Sequence, residues 1–202
     1  MFSKLFSRQK AIHLLRENGP KHIKDSIFND QVRSTCIDFI RLNKNPNVMV
    51  IGGIAYGVHL EARSTQDLDI IVVSDSDIAS VFENIKSKFR HNRHHSFEHK
   101  STGVEVEVLT PAFINYDEKI VKSALDDAQV HDFDGHKIKV VSPKYLIVLK
   151  LKRASGTNSK ARQDQHDIME LIHRYGAFDL SDVGLSEKEL KTYSELVRDT
   201  LE

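Results

Sequence analysis

Two aspartates, Asp67 and Asp69, flank Leu68 at the head of an apolar run, Leu68-Asp69-Ile70-Ile71-Val72-Val73. Such a run suits a strand, and the two-residue period of a strand sends both carboxylates to one face, about 7 Å apart at Cα. Carboxylates so placed can share two divalent cations about 3.5–4 Å apart, the arrangement used to activate phosphoryl groups. A third carboxylate is offered by Val104-Glu105-Val106-Glu107-Val108-Leu109, where alternation puts Glu105 and Glu107 together opposite the valines. Either glutamate fits the pattern. Upstream, Val48-Met49-Val50-Ile51 runs into Gly52-Gly53 and then into helical spacing from Ile54 to Ala62. A glycine turn opening a helix exposes backbone N–H groups to an anion, and the helix dipole favours its charge.

The elements that must position these residues are legible in outline. Residues 8–43 read as two helices broken at Asn18-Gly19-Pro20, and Asn43 to Asn47 is a turn. Strands are expected at Val48–Ile51 and Leu68–Val73. A helix follows, capped by Asp75 or Ser76 and running to about Arg90. One hairpin spans about Arg93 to Leu109 around Ser101-Thr102-Gly103, and a smaller one spans Gln129 to Val141 around Gly135. Between them, Asp117 to Ala128 is helical. From Pro143 onward the chain reads as helices: one from about Leu146 to Arg153, one from Lys160 to Tyr175, and a last one from about Glu187 to Leu201. The expectation is an α+β fold in three parts: an N-terminal helical segment (1–45), a small mixed-sheet core (46–142) and a C-terminal helical bundle (143–202).

Composition excludes more than it assigns. Lys plus Arg and Asp plus Glu are both 29, so bulk charge argues for no general affinity for nucleic acid. The lone Cys36 rules out an intrachain disulfide framework and a cysteine zinc site, and reads as a small buried hydrophobe. No apolar run reaches membrane-span length, and the start, Met1 to Arg8, lacks a signal-peptide core, so a cytoplasmic protein is expected. His91, His94, His95 and His99 cluster on the first hairpin, where a basic, polar surface is a better reading than a zinc site. A second basic cluster, Lys150, Lys152, Arg153, Lys160 and Arg162, surrounds a loop containing Gly156.

Taken together, Val50-Ile51-Gly52-Gly53-Ile54-Ala55-Tyr56-Gly57, then Arg63-Ser64-Thr65-Gln66-Asp67-Leu68-Asp69-Ile70, then Val106-Glu107-Val108-Leu109 resembles the DNA polymerase β nucleotidyltransferase superfamily. Within it the chain is most similar to the AbiEii-like group of bacterial toxin–antitoxin and abortive-infection systems. Pro143-Lys144-Tyr145-Leu146-Ile147-Val148-Leu149-Lys150-Leu151 and Arg162-Gln163-Asp164-Gln165-His166-Asp167-Ile168 resemble that group's downstream helices. The resemblance covers about residues 46 to 175. It implies transfer of a nucleoside monophosphate from a nucleoside triphosphate to an acceptor hydroxyl, with two Mg²⁺ ions (Mn²⁺ as a substitute) held by Asp67, Asp69 and Glu107. It also implies that Gly52 and Gly53 form the triphosphate loop, that Arg63, Ser64 and Thr65 touch phosphate, that Lys150 faces the phosphates, and that Asp164 lies in the site. Two departures stand out: Glu107 occupies a position where the family usually has Asp, and Gln163-Asp164 replaces a Lys-Asp pair. The implied acceptors are an RNA or tRNA 3′ end, a protein hydroxyl or an antibiotic hydroxyl, and the implied protein partner is a cognate antitoxin or toxin. A catalytically silent nucleotide-binding module is the alternative.

Overall fold

The computed structural model describes residues 29–60, 64–93 and 95–201. The first helix expected from the sequence, ahead of Asn18-Gly19-Pro20, lies outside them. The described residues divide after Ser142 into two compact units, 29–142 and 143–201.

The first unit is built on a mixed sheet. Helix α1 (Asp30–Leu42) is capped by Asn29, whose side chain accepts from the Gln31 and Val32 amides. Then come β1 (Val48–Val50), α2 (Gly52–His59), β2 (Leu68–Val72), α3 (Asp75–Ile85), β3 (Phe89–Arg93), β4 (Ser96–His99) and β5 (Glu105–Leu109). The short α4 (Pro111–Ile114), α5 (Glu118–Asp126), β6 (Gln129–Phe133) and β7 (His136–Val140) complete the unit. The strands lie in the order β3-β4-β5-β2-β1-β7-β6. β1 runs antiparallel to β2, β5 runs parallel to β2, and β7 runs parallel to β1. This is the α+β, mixed-sheet class expected from the sequence.

Alternation decides which face each side chain takes. In β5 the valines at 106 and 108 are fully buried while Glu105, Glu107 and Leu109 are half-buried. The valine face is covered by helices: Phe39 of α1 meets Phe89 of β3 edge-on at 6.2 Å, and Phe82 of α3 stacks on Phe97 of β4 at 5.2 Å. Cys36 is buried within α1, and burial pushes its thiol pKa up. The glutamate face is left for the polar residues.

Two expectations are corrected. The helix after β2 ends at Ile85, not near Arg90, and Phe89–Arg93 forms an edge strand paired with β4. Only Phe89 of that strand is buried, so its polar remainder carries no apolar alternation that would mark a strand. The cap of α3 is Ser74 rather than Asp75 or Ser76, and Asp77 closes the box by accepting from the Ser74 amide and hydroxyl. The smaller hairpin is as expected, its turn made by Asp134 (φ 55°) and Gly135 (φ 80°).

The second unit consists of α6 (Pro143–Ala154), α7 (Ser159–Tyr175) and α8 (Glu187–Leu201), which pack on one another. Asn158 caps α7 by accepting from the Ala161 amide. No helix among the described residues is long and apolar enough to cross a membrane.

One buried group ties the stability of the first unit to pH. His59, at the end of α2, is 3% exposed and its Nε2 faces the Val141 carbonyl. Burial drives its pKa down to about 4; the Val141 carbonyl works in the other direction, and His131, whose ring lies 6.2 Å away, adds to the depression. His131 is itself lowered by burial. The unfolded chain therefore binds protons that the folded one refuses between about pH 6.5 and 4. Stability falls as pH drops through that window, by up to about 3 kcal/mol for a shift of this size. Asp38 and Asp77, held below the usual carboxylate range, act only at lower pH. Urea midpoints measured at pH 7 and pH 4.5 will differ in the wild type, and His59→Gln will shrink that difference; an equal difference in both proteins refutes the assignment.

Candidate active site and a buried charge cluster

Because β1 and β2 are antiparallel, the end of β1 lies beside the start of β2. The Ile51 amide donates to the Asp69 carbonyl at 3.0 Å, closing the ladder there. The next residue, Gly52, has φ +63°, a conformation in the left-handed region that side chains resist. A Cβ added to it would lie 1.9 Å from Asp69 Oδ2 and 2.7 Å from Asp69 Cγ. Glycine is thus required twice, once by the backbone turn and once by the carboxylate pressed against it. Helix α2 starts at this point with Ile51 as its N-cap, so no side chain caps its first amides.

The second carboxylate comes from sheet register. Asp69 lies directly opposite Glu107 in the parallel β2–β5 pair, and Glu107 lies opposite Ser96 in the antiparallel β4–β5 pair. Glu105 sits one period away, opposite Glu98, with Asn92 Nδ2 at 3.5 Å from its Oε1. Glu98 is itself paired with Arg90. Asp67 stands just ahead of β2 and half-buried; the hydroxyl of buried Thr65 donates to its Oδ1 at 3.1 Å and approaches its carbonyl at 3.3 Å. Ser64 is exposed, and Arg63 lies outside the described residues. Gly52, Gly53, Asp69 and Glu107 are therefore gathered on one stretch of the sheet, with Thr65 and Asp67 leading into it.

Among the described residues no three His, Cys, Asp or Glu side chains are already drawn together as a metal cage. The donor set is nonetheless hard oxygen throughout. Magnesium commonly takes one or two carboxylates and completes its octahedron with water and substrate phosphate, which Asp69, Glu107 and Asp67 fit.

The histidines do not form one cluster. His99 is 1% exposed, with Nε2 at 3.1 Å from Asp38 Oδ2 and Nδ1 at 2.9 Å from Thr102 Oγ1, joining β4 to α1. His91 is exposed on β3, with its ring against Phe82 and Phe97. His95 lies in the turn before β4 at φ 63°, its ring 5.0 Å from that of Phe113. His94 lies outside the described residues. Of the histidines close in sequence on this hairpin, His99 is thus a buried strand residue, His91 an exposed one and His95 a turn residue.

Lys150 and Asp164 belong to the helical unit, where they meet each other. Lys150 is 7% exposed, and its ammonium donates to Asp164 Oδ1 at 2.8 Å and to Asp167 Oδ2 at 2.7 Å. Arg153, one turn along α6, grips Asp164 through Nε and through Nη2, the latter at 2.9 Å from Oδ1. Gln163 Nε2 donates to Asp167 Oδ1 at 2.9 Å. Burial alone would raise the Asp164 pKa, but Arg153 and Lys150 outweigh it and hold the carboxyl below its usual range. Two cations here balance two carboxylates. The neutral Gln163 keeps that balance, where a lysine would add a third positive charge. The spacing Lys150/Arg153 and Asp164/Asp167, both i to i+3, was the available signal for this pairing.

The crystal structure of an antigenic nucleotidyltransferase-like protein from Paracoccidioides brasiliensis has this fold. It matches with a TM-score of 0.59 over 85% of this chain and 89% of that one, at 19% sequence identity. No family model matches the sequence, and no curated protein matches it significantly. The likeness shows a nucleotidyltransferase-like fold.

Two substitutions test these local arguments. Gly135 has a positive φ and open space around it, so Gly135→Ala meets the backbone penalty alone, about 1–2 kcal/mol. Gly52→Ala meets that penalty and the overlap with Asp69, so its thermal midpoint will fall further than that of Gly135→Ala. Equal shifts would mean that Asp69 moves aside freely. In the helical unit, Lys150→Met takes one donor from each of two buried carboxylates, leaving Asp164 to Arg153 and Asp167 to Gln163, and is expected to lower stability by about 3–5 kcal/mol in chemical denaturation. A change within error would show that the cluster contributes little to the unit.

Proposed function

We propose that this protein is a nucleotidyltransferase, joining a nucleoside monophosphate to an acceptor hydroxyl and releasing pyrophosphate. The observation that carries this reading is one contact chain: Gly52 pressed against Asp69, and Asp69 in register with Glu107. In it a glycine turn at a helix N-terminus adjoins two neighbouring carboxylates, the requirements for holding a polyphosphate beside its metal ions. The fold shared with a nucleotidyltransferase-like protein supports the reading.

In this mechanism the uncapped amides at the start of α2 hold the β- and γ-phosphates through Gly52 and Gly53. Asp67, Asp69 and Glu107 are the residues that would hold Mg²⁺, which supplies neutralisation of phosphate charge and a Lewis acid at the reacting phosphorus. Thr65 keeps Asp67 oriented through its hydroxyl. Glu107 or Asp67 takes the proton from the acceptor hydroxyl as its oxygen bonds to the α-phosphorus. The bond from that phosphorus to the bridging oxygen breaks, and pyrophosphate leaves. In this reading Lys150 and Asp164 support the helices rather than contact phosphate.

The finer placement, among AbiEii-like enzymes acting on an RNA 3′ end, rests on the resemblance of residues 143–168 to that group's helices. Incubating the protein with labelled triphosphates, Mg²⁺ and total RNA, purified tRNA, protein or aminoglycoside tests the reaction and separates the acceptors. The wild type is expected to transfer label, and Asp67→Asn with Asp69→Asn to abolish transfer while unfolding at a similar temperature. Transfer by the double variant at the wild-type rate would overturn the mechanism.

A further inference from the structure

The pairing registers string four residues into a row. Arg93 lies opposite Ser96, Ser96 opposite Glu107, and Glu107 opposite Asp69. Directly paired residues share a sheet face, and neighbouring strands are about 4.8 Å apart, so the row extends about 14 Å from β2 to β3. The Gly52–Gly53 turn lies at the Asp69 end. A triphosphate held there occupies that end, which leaves the Ser96–Arg93 end for whatever approaches Glu107 from the other side.

Both residues at that end are in unusual states. Ser96 is 4% exposed, and its Oγ has no hydrogen-bond partner. Buried hydroxyls are nearly always paired, and an unpaired one carries a desolvation penalty. Its neighbour across the ladder is a glutamate, which has one more rotatable bond than an aspartate and so more freedom to lose. A hydroxyl within reach of that carboxylate can donate to it and fix its rotamer. Arg93 is exposed and paired with Ser96 through the backbone ladder, and its side chain makes no hydrogen bond or ion pair with any described residue. Arg90 on the same strand is instead neutralised by Glu98. An unpaired guanidinium presents a fork of donors suited to a phosphate.

We propose that Ser96 and Arg93 form the acceptor side of the site: Ser96 positions Glu107, and Arg93 binds a phosphate of the acceptor. The acceptor is therefore a phosphate-bearing molecule, such as a nucleotide or the end of a nucleic-acid strand, and not a polycation. The inference rests on the transferase reading above. Ser96 is a positioning residue, acting through Glu107, while Arg93 contacts the substrate.

The test uses the full chain with labelled triphosphate, Mg²⁺ and an RNA pool or an aminoglycoside as acceptor. Ser96→Ala is expected to lower kcat at least tenfold, leave the KM for triphosphate within twofold, displace the acidic limb of the pH–rate profile, and leave the thermal midpoint unchanged or higher. Ser96→Cys, which keeps a weak donor, recovers part of the rate. Arg93→Gln is expected to raise the KM for RNA at least fivefold with kcat little changed. Arg93→Glu weakens binding of a short fluorescent single-stranded RNA in an anisotropy titration, a readout that needs no turnover. Lys86→Gln, on the exposed surface, serves as the unaffected control. A Ser96→Ala protein with wild-type kcat and a lowered midpoint makes Ser96 merely structural and overturns its role. Unchanged RNA affinity in both Arg93 variants, or transfer to the aminoglycoside alone, overturns the anionic acceptor. A wild type that neither binds triphosphate nor transfers label to any acceptor overturns the transferase reading first, and this inference with it.

Discussion

The contact between Gly52 and the Asp69 carboxylate is the constraint on which the candidate site depends. A backbone at φ +63° and a carboxylate occupying the space of the missing Cβ allow only glycine at this point. That packing exists because β1 runs antiparallel to β2, which returns the chain after α2 to a point beside its own turn. A parallel arrangement would carry the turn to the opposite end of β2 from Asp69. Sheet topology, not proximity in sequence, therefore brings the glycine turn at a helix N-terminus and an acidic residue together. The parallel pairing of β5 with β2 adds Glu107, since parallel register places residues level with each other without a hairpin between them.

Charge is handled differently in the two units. In the helical unit Lys150, Arg153, Asp164 and Asp167 form a neutral, hydrogen-bonded set, and each carboxylate accepts from more than one donor. Such a cluster contributes modestly relative to apolar packing, yet losing one member is severe, because the remaining charges stay buried. It links α6 to α7 through side chains of both helices. On the sheet, Asp69 and Glu107 stand side by side as like charges, half-buried and next to a helix N-terminus. Like carboxylates held at strand spacing repel each other, and a cationic ligand relieves that repulsion. The helical cluster balances its charges within one unit, whereas the sheet sets two carboxylates level with each other on neighbouring strands.

Much of this was legible from residue order. The Val104–Leu109 alternation declares its two faces, and Gly52-Gly53 between an apolar run and helical spacing marks a strand–turn–helix. Counting back from Ser101-Thr102-Gly103 sets Phe97 opposite Glu107, one residue out, because the hairpin loop also takes in Lys100 and so brings Ser96 level with Glu107. Other features were hidden for physical reasons. Strand β3 is an edge strand whose residues after Phe89 are all solvent-facing, and a polar edge has no hydrophobic period to detect. Without that strand Arg93 had no neighbours. For Lys150 the matching i to i+3 spacings of Lys150/Arg153 and Asp164/Asp167 hinted at a pairing without showing that the two helices meet there. The lysine's two carboxylates lie 14 and 17 residues further on, and only the packing of α6 against α7 reveals them.

The same register separates the two glutamates that periodicity leaves equivalent. Glu105 falls in a row with Glu98 and Arg90, and Asn92 reaches its carboxylate from β3. A cation and an amide on the edge strand thus engage the acidic residues of that row. Glu107 falls in the next row, between a serine with no partner and the aspartate that packs on Gly52. One row is closed by its own side chains. The other adjoins the glycine turn, and Glu107 is the glutamate of β5 that register sets level with Asp69.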